Sequence, residues 1–259
     1  MRILMVGDIV GRCGRRAVKE NLPDLRRSFP ASLVVANGEN AAGGVGITRE
    51  TAEELFGYGI DVLTGGNHIW DKKDSYRFIA EEPRLIRPAN YPPDVPGIGY
   101  GVFPCEGYNV GIVNLSGRVF MPPVDCPFRK AEEILAELSP RTDVIIVDFH
   151  AETTSEKVAF GWFMDGRVTA VLGTHTHVQT ADERILPEGT AYITDVGMTG
   201  PRDSVIGVKT DIIIDRFLTQ LPKRFEVAGG PYQFNACVVT VDPATGKALG
   251  IERIQNYEI

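Results

Sequence analysis

Short apolar runs alternate with stretches of helical spacing along most of the chain. Arg2 to Val6 (RILMV), Leu33 to Ala36 (LVVA), Ile60 to Leu63, Val144 to Val147 (VIIV) and Val168 to Leu172 read as buried strands. Arg15 to Phe29, Thr48 to Phe56, Asp74 to Ala80, Arg129 to Leu138 and Ser155 to Phe163 read as helices. The first is expected to break or kink near Pro23, and Thr48 is placed to cap the second. The middle changes character. Asn90 to Gly99 (NYPPDVPGIG) is a Pro/Gly-rich loop, and Gly101 to Phe103 with Asn109 to Asn114 form a hairpin about Glu106-Gly107. Ala191 to Thr194, Ala236 to Val241 and Ala248 to Ile254 close the chain as strands. Alternation first and hairpins later predict an α/β fold of mixed sheets covered by helices. With no repeat and no linker, one domain over residues 1–259 is expected.

The residues just beyond the strands are unusual. RILMVG leads to Asp8, LVVANG to Glu39 and Asn40, DVLTGG to Asn67 and His68, VIIVDF to His150, and VTAVLGT to His175 and His177. The chain has only 4 histidines, and all of them are in this set. Ligands of α/β sheets bind beyond the carboxyl ends of the strands, so these side chains should meet at one edge. If strand geometry persists through GTHTHV, His175 and His177 point to the same face. Each residue alone has an ordinary explanation as a cap, a turn residue or a hydrogen-bonded histidine. Together they suit Zn, Fe, Mn or Ni. They are also too many for one four-coordinate ion, and two metals ~3.5–4 Å apart sharing a carboxylate would use them all. Gly7, Gly38, Gly65, Gly66 and Gly173 precede these residues, where sharp turns and close approaches are needed. The stretch from Gly7 to Gly14 is spaced GxxxGxxG and is no dinucleotide fingerprint.

Composition narrows the partners. Hydrophobic residues are 43% and charged residues 24%, ordinary for a globular chain, and the net charge of −7 argues against an extended nucleic-acid surface. Cys13, Cys105, Cys126 and Cys237 form no CxxC pair or disulfide framework. No apolar run has the length of a signal peptide core or a membrane span, so a soluble, cytoplasmic protein is expected. A homo-oligomer is left open.

The order Asp, acidic residue, GNH, His, GTHTHV resembles the calcineurin-like metallophosphoesterase superfamily. Within it, NGEN and GGNHIWDKK are similar to the YmdB-type bacterial branch. The usual Asp-x-His motif has Val10 in place of the histidine, and the usual GD motif is Gly38-Glu39-Asn40; both departures are shared by that branch. The resemblance implies a four-layer α/β/β/α sandwich of two mixed sheets flanked by helices. It implies one metal on Asp8, Glu39, Asn40 and His177 and a second on Glu39, Asn67, His150 and His175, with Glu39 bridging. Iron or manganese is the implied metal. It also implies hydrolysis of a small phosphodiester, a 2′,3′- or 3′,5′-cyclic nucleotide, by water activated between the metals, with His68 protonating the leaving alkoxide. Thr176 and Thr194-Asp195 are candidate supports, and Asn90 to Gly99 and Arg118 to Pro123 candidate rim loops. The alternatives are a phosphomonoesterase, an amidohydrolase, or a slow or inactive metal- and nucleotide-binding regulator. The amidohydrolase is disfavoured because HxH lies late in the chain.

Overall fold

The computed structural model describes residues 1–258. In chain order the elements are β1 (Arg2–Val6), β2 (Asp8–Ile9), α1 (Gly11–Ser28), β3 (Leu33–Asn37), α2 (Arg49–Gly57), β4 (Val62–Thr64), α3 (Tyr76–Glu81) and β5 (Leu85–Ile86). Then come β6 (Tyr100–Cys105), β7 (Tyr108–Ser116), α4 (Pro127–Leu138), β8 (Val144–His150), α5 (Thr154–Met164) and β9 (Ala170–Thr174). The chain continues through β10 (Arg184–Ile185), β11 (Ala191–Ile193), β12 (Met198–Pro201), α6 (Thr210–Thr219), β13 (Tyr232–Val241) and β14 (Ala248–Tyr257).

They form two mixed sheets. One has the order β2-β12-β13-β1-β3-β4-β5, with β14 also paired to β13; the other runs β10-β11-β9-β8-β7-β6. β1, β3, β4 and β5 are parallel, as are β7, β8, β9 and β11. Alternation along the strands divides the core into three layers. Ile3 and Met5 of β1 face Ile112, Ile146 and Leu172 of the other sheet. Their neighbours Leu4 and Val6 turn outward onto Val18 and Leu22 of α1 and Leu55 of α2. On the far side, Ile145 and Val147 meet Ile134 of α4 and Phe160 of α5. Both central sheets are therefore sealed on both faces, which is why their strands read as unbroken apolar runs. The order of layers is α/β/β/α, as expected.

Several local expectations shift. α1 starts at Gly11 and runs through Pro23 without a break. Thr48 caps α2, as expected, in a capping box in which Thr48 and Thr51 exchange hydrogen bonds. The hairpin at Glu106-Gly107 is present. α6 and the short strands β2, β5, β10 and β12 are elements that the hydrophobic pattern does not predict.

Candidate metal centre

β1, β3 and β4 run parallel, so their carboxyl ends share one edge. Asp8 opens β2, two residues past the end of β1, Glu39 and Asn40 lie in the turn after β3, and Asn67 and His68 in the turn after β4. From the facing sheet, His150 ends β8, and His175 and His177 follow β9. All eight side chains reach this one region between the sheets. Asp8, Glu39, Asn40 and His150 are buried.

One focus is Nε2 of His150. It lies 3.0 Å from His175 Nδ1, 3.1 Å from Asn67 Oδ1 and 3.2 Å from Glu39 Oε1. Neighbouring ligands of an octahedral ion at ~2.1 Å stand ~3.0 Å apart, so these separations suit donors around a cation. The backbone leaves room as well: a Cβ on Gly66 would overlap both Glu39 Oε2 and His150 Nε2. A second focus lies beside Asp8. Its Oδ1 is buried with no hydrogen-bond partner, and His177 Nε2 is 3.8 Å away. The Asn40 amide nitrogen is 3.4 Å from that imidazole nitrogen and 3.1 Å from Glu39 Oε1; half a turn of the amide presents its oxygen instead. Glu39 Oε1 thus touches groups of both foci. An orphaned carboxylate oxygen, a carboxylate between two foci and a glycine-made hollow all fit a pair of cations.

The imidazoles are oriented from outside. His177 Nδ1 donates to the Ile206 carbonyl at 2.9 Å. His150 Nδ1 donates to Thr174 Oγ1 at 2.9 Å, and that hydroxyl donates to Asp148 Oδ1 at 2.7 Å. Asp148 also accepts from Thr64 and Asn37. His175 Nε2 is 3.1 Å from Glu152 Oε2. Each ring spends its outer N–H on an oxygen and points its other nitrogen inward, the arrangement metal-binding histidines need.

Electrostatics agree. Burial would raise the Glu39 carboxyl, but the His150 ring and the His68 backbone N–H outweigh it and hold it down to about 2. Burial likewise lowers His150, yet Glu39, Asp8 and Asp148 push it up to about 9. Burial, with His150 beside it, drives His175 down to about 3. Asp8 is raised to about 6 by burial, against the pull of His177 and His150. A divalent ion would supply the charge that this carboxylate lacks.

The geometry corrects one expectation. Strand alternation does not align His175 and His177, because β9 ends at Thr174. Both residues have positive φ, 102° and 66°, and the bent backbone turns them inward. The bend is held by Lys157 of α5, buried in an ion pair of 2.6 Å with Asp195 and donating to the Thr174 carbonyl at 2.7 Å. Asp195 also accepts from the Thr176 backbone and hydroxyl. Thr194 instead donates to Asp182 and plays no part in this anchor.

His68 is part-exposed and lines a cleft of about 350 Å³ with Glu39, Asn40, His175 and His177. Its Nδ1 is 2.8 Å from Asp71 Oδ2. The cleft walls come from residues 43–45, 206–208, Phe225 and Val227, and the expected rim loops at 90–99 and 118–123 do not line it. Asn90, at the start of the first loop, instead bonds Ser116 and the Asp125 carbonyl on either side of the second.

Sequence reasoning missed Asn37, Asp71, Asp148, Glu152 and Lys157. Only Lys157, a lone cation inside the helix SEKVAFGWF, carried a visible signal.

Two facing sheets with helices outside, and carboxylate, amide and imidazole groups gathered at the carboxyl ends of their strands, are the architecture of the calcineurin-like metallophosphoesterases. A model of the family described as YmdB-like protein matches residues 4–254, and the chain belongs to that family. A Bacillus subtilis relative, named 2′,3′-cyclic-nucleotide 2′-phosphodiesterase, is 52% identical over 254 residues, covering 98% of this chain and 96% of its own. A solved structure of a Thermus thermophilus protein superposes with a TM-score of 0.94 at 42% identity, covering 100% of both chains. A Mycoplasma pneumoniae structure described as a novel phosphatase superposes equally well, at 0.94 and 39% identity, over 99% of this chain and 93% of that one. Among the described residues, no helix is long and apolar enough to cross a membrane.

Proposed function

We propose that the protein is a binuclear metal-dependent phosphodiesterase acting on small cyclic nucleotides, 2′,3′- or 3′,5′-cyclic monophosphates. The observation that carries this reading is the convergence of Glu39, Asn67 and His175 on His150 Nε2, in the same cleft as the His68–Asp71 pair. Asp8, Glu39, Asn40 and His177 would hold one ion, and Glu39, Asn67, His150 and His175 the other. The mixture of imidazole, carboxylate and amide favours iron or manganese over magnesium. When bound, such ions bring the pKa of water toward ~7 and offset charge on the phosphoryl oxygens.

The chain's own groups do the rest. Asp71 accepts from His68 Nδ1 and fixes the ring. Nε2 of His68 then gives its proton to the ribose oxygen as its bond to phosphorus breaks, while water adds hydroxyl to phosphorus and releases its remaining proton to solvent, from which His68 is reprotonated. For a 2′,3′-cyclic nucleotide the product is a monoester and a free ribose hydroxyl. The name of the Bacillus subtilis relative supports the 2′,3′ class; the description of the Mycoplasma pneumoniae protein as a phosphatase supports a phosphomonoester reading. Val45, Val208 and Phe225 give the cleft an apolar wall for a base.

The test compares wild type and His68→Ala on a cyclic nucleotide and on bis-nitrophenyl phosphate, at matched metal content. A ribose alkoxide needs a proton and a nitrophenolate does not. The variant should lose about 10²–10⁴-fold on the nucleotide and little on the aryl ester. Equal losses would remove His68 as the acid. Faster turnover of monoesters than of any diester would overturn the substrate class.

A further inference from the structure

Beside the metal cleft lies a second cavity of about 1080 Å³. The two share Gly43, Phe225 and Val227, so they form one trough with Val227 as the sill. The metal cleft, at about 350 Å³, has room for a single compact ligand. The trough as a whole exceeds the ~300–1,000 Å³ of ordinary small-molecule sites, so it suits a ligand longer than a mononucleotide.

The charge in the second cavity runs against the net charge of the chain, which is −7. Three arginines line it: Arg12, Arg16 and Arg224. So do two carboxylates, and each has a cation of its own. Glu258 pairs with Arg16 at 2.5 Å, and Glu226 pairs with Lys209 at 2.5 Å. Arg12 and Arg224 make no ion pair or side-chain hydrogen bond with any described residue. Two guanidiniums free of any direct ion pair, Arg224 within the field of Glu226, therefore stand next to the cleft where a phosphodiester would react. The first turn of α1, which carries Arg12, holds no acidic residue and no side-chain cap, and so adds to the positive field. Phe225, 48% exposed, offers aromatic surface where the two spaces meet.

We propose that this cavity receives the nucleotide upstream of the reacting end, so that the preferred substrate is a short oligoribonucleotide ending in a cyclic phosphate. The inference rests on the phosphodiesterase reading above. In such a chain the terminal ribose presents its cyclic phosphate to the metal centre, and its 5′ oxygen leads to the next phosphate. Arg12 and Arg224 bind that phosphate, and Phe225 contacts a base. Two exposed guanidinium–phosphate contacts provide no grip on a long duplex, and their combined worth is about tenfold in affinity.

The experiment measures kcat/KM for a 2′,3′-cyclic mononucleotide and for a dinucleotide ending in the same cyclic phosphate. Wild type and an Arg12→Ala/Arg224→Ala double variant are compared. Wild type should prefer the dinucleotide by about tenfold; the double variant should lose the preference and keep its mononucleotide rate. No preference in wild type, or an undiminished preference in the variant, overturns the cavity assignment and leaves the proposed reaction standing. If neither compound is hydrolysed, the reaction reading fails on its own, and binding decides the cavity. A fluorescein-labelled trinucleotide ending in a 3′-phosphate should then bind wild type about tenfold more tightly than the variant. Equal affinity overturns the proposal.

Discussion

Gly66 makes the hollow between Glu39 and His150, and its φ is not left-handed, so alanine can adopt the backbone. Gly66→Ala should therefore fold, yet place a methyl where the ion on His150 would sit. Elemental analysis should show at least one metal per chain lost relative to wild type; full metal content would mean that the hollow is not the site. A second outcome concerns the buried charges of the metal-free protein. The folded pKa of Glu39, about 2, lies below its ordinary value, so its contribution is present above pH ~4.5 and lost as pH falls toward 2. The folded pKa of His150, about 9, lies above its ordinary value, so its contribution is complete below pH ~6.5 and lost as pH rises through 9. Asp8 and His175 shift in opposite senses, and both have finished titrating about a unit above the higher of their folded and ordinary values, by pH ~7.5. Between pH ~7.5 and 9, His150 governs these four. The urea midpoint of chelator-stripped protein should fall across that window and stay level once metal is bound; a flat apo profile would refute the assignment of charge.

At the scale of elements, the bend after β9 depends on α5. Lys157 and Asp195 are almost fully buried, at 1% and 0%, and removing one partner of such a pair costs ~3–5 kcal/mol. Lys157→Met should lower unfolding free energy by about that much and weaken metal binding, because Thr174 and Thr176 lose their anchor. Adding Asp195→Asn should restore part of the stability; no recovery would mean that the uncompensated charge is not the cause. The strand ends were legible because each is an apolar run stopped by glycine and a polar residue. The bend at His175 was not, since positive φ in a non-glycine residue is imposed by tertiary contacts rather than by local sequence. α6 escaped notice for a related reason. Only Ile213 among its ten residues is buried, while Phe217 and Leu218 are 72% and 80% exposed, so its apolar positions do not mark an inward face.

The whole molecule is two sheets whose contributions to the site differ. Asp8, Glu39, Asn40 and Asn67 come from one, and His150, His175 and His177 from the other. The layer order could be anticipated from runs that are apolar on both faces together with the resemblance; the strand order could not, because β12 to β14 return to pair beside β1 after most of the chain has passed. Cations bridging the two sheets bind the folded state alone. At 100-fold excess over Kd each adds ~2.7 kcal/mol, so stripping two should lower Tm by about 10 °C. A shift of a degree or two would argue against resident metals.

All four imidazoles of the chain belong to this centre or its cleft. In proton NMR the aromatic C–H lines of histidine therefore constitute a background-free report on the site, with no labelling and no assignment by mutation. Loading with a paramagnetic ion such as manganese should broaden or displace all four sets, leaving the signals of the distant hairpin at Glu106-Gly107 sharp. The scarcity of histidine makes the protein its own probe.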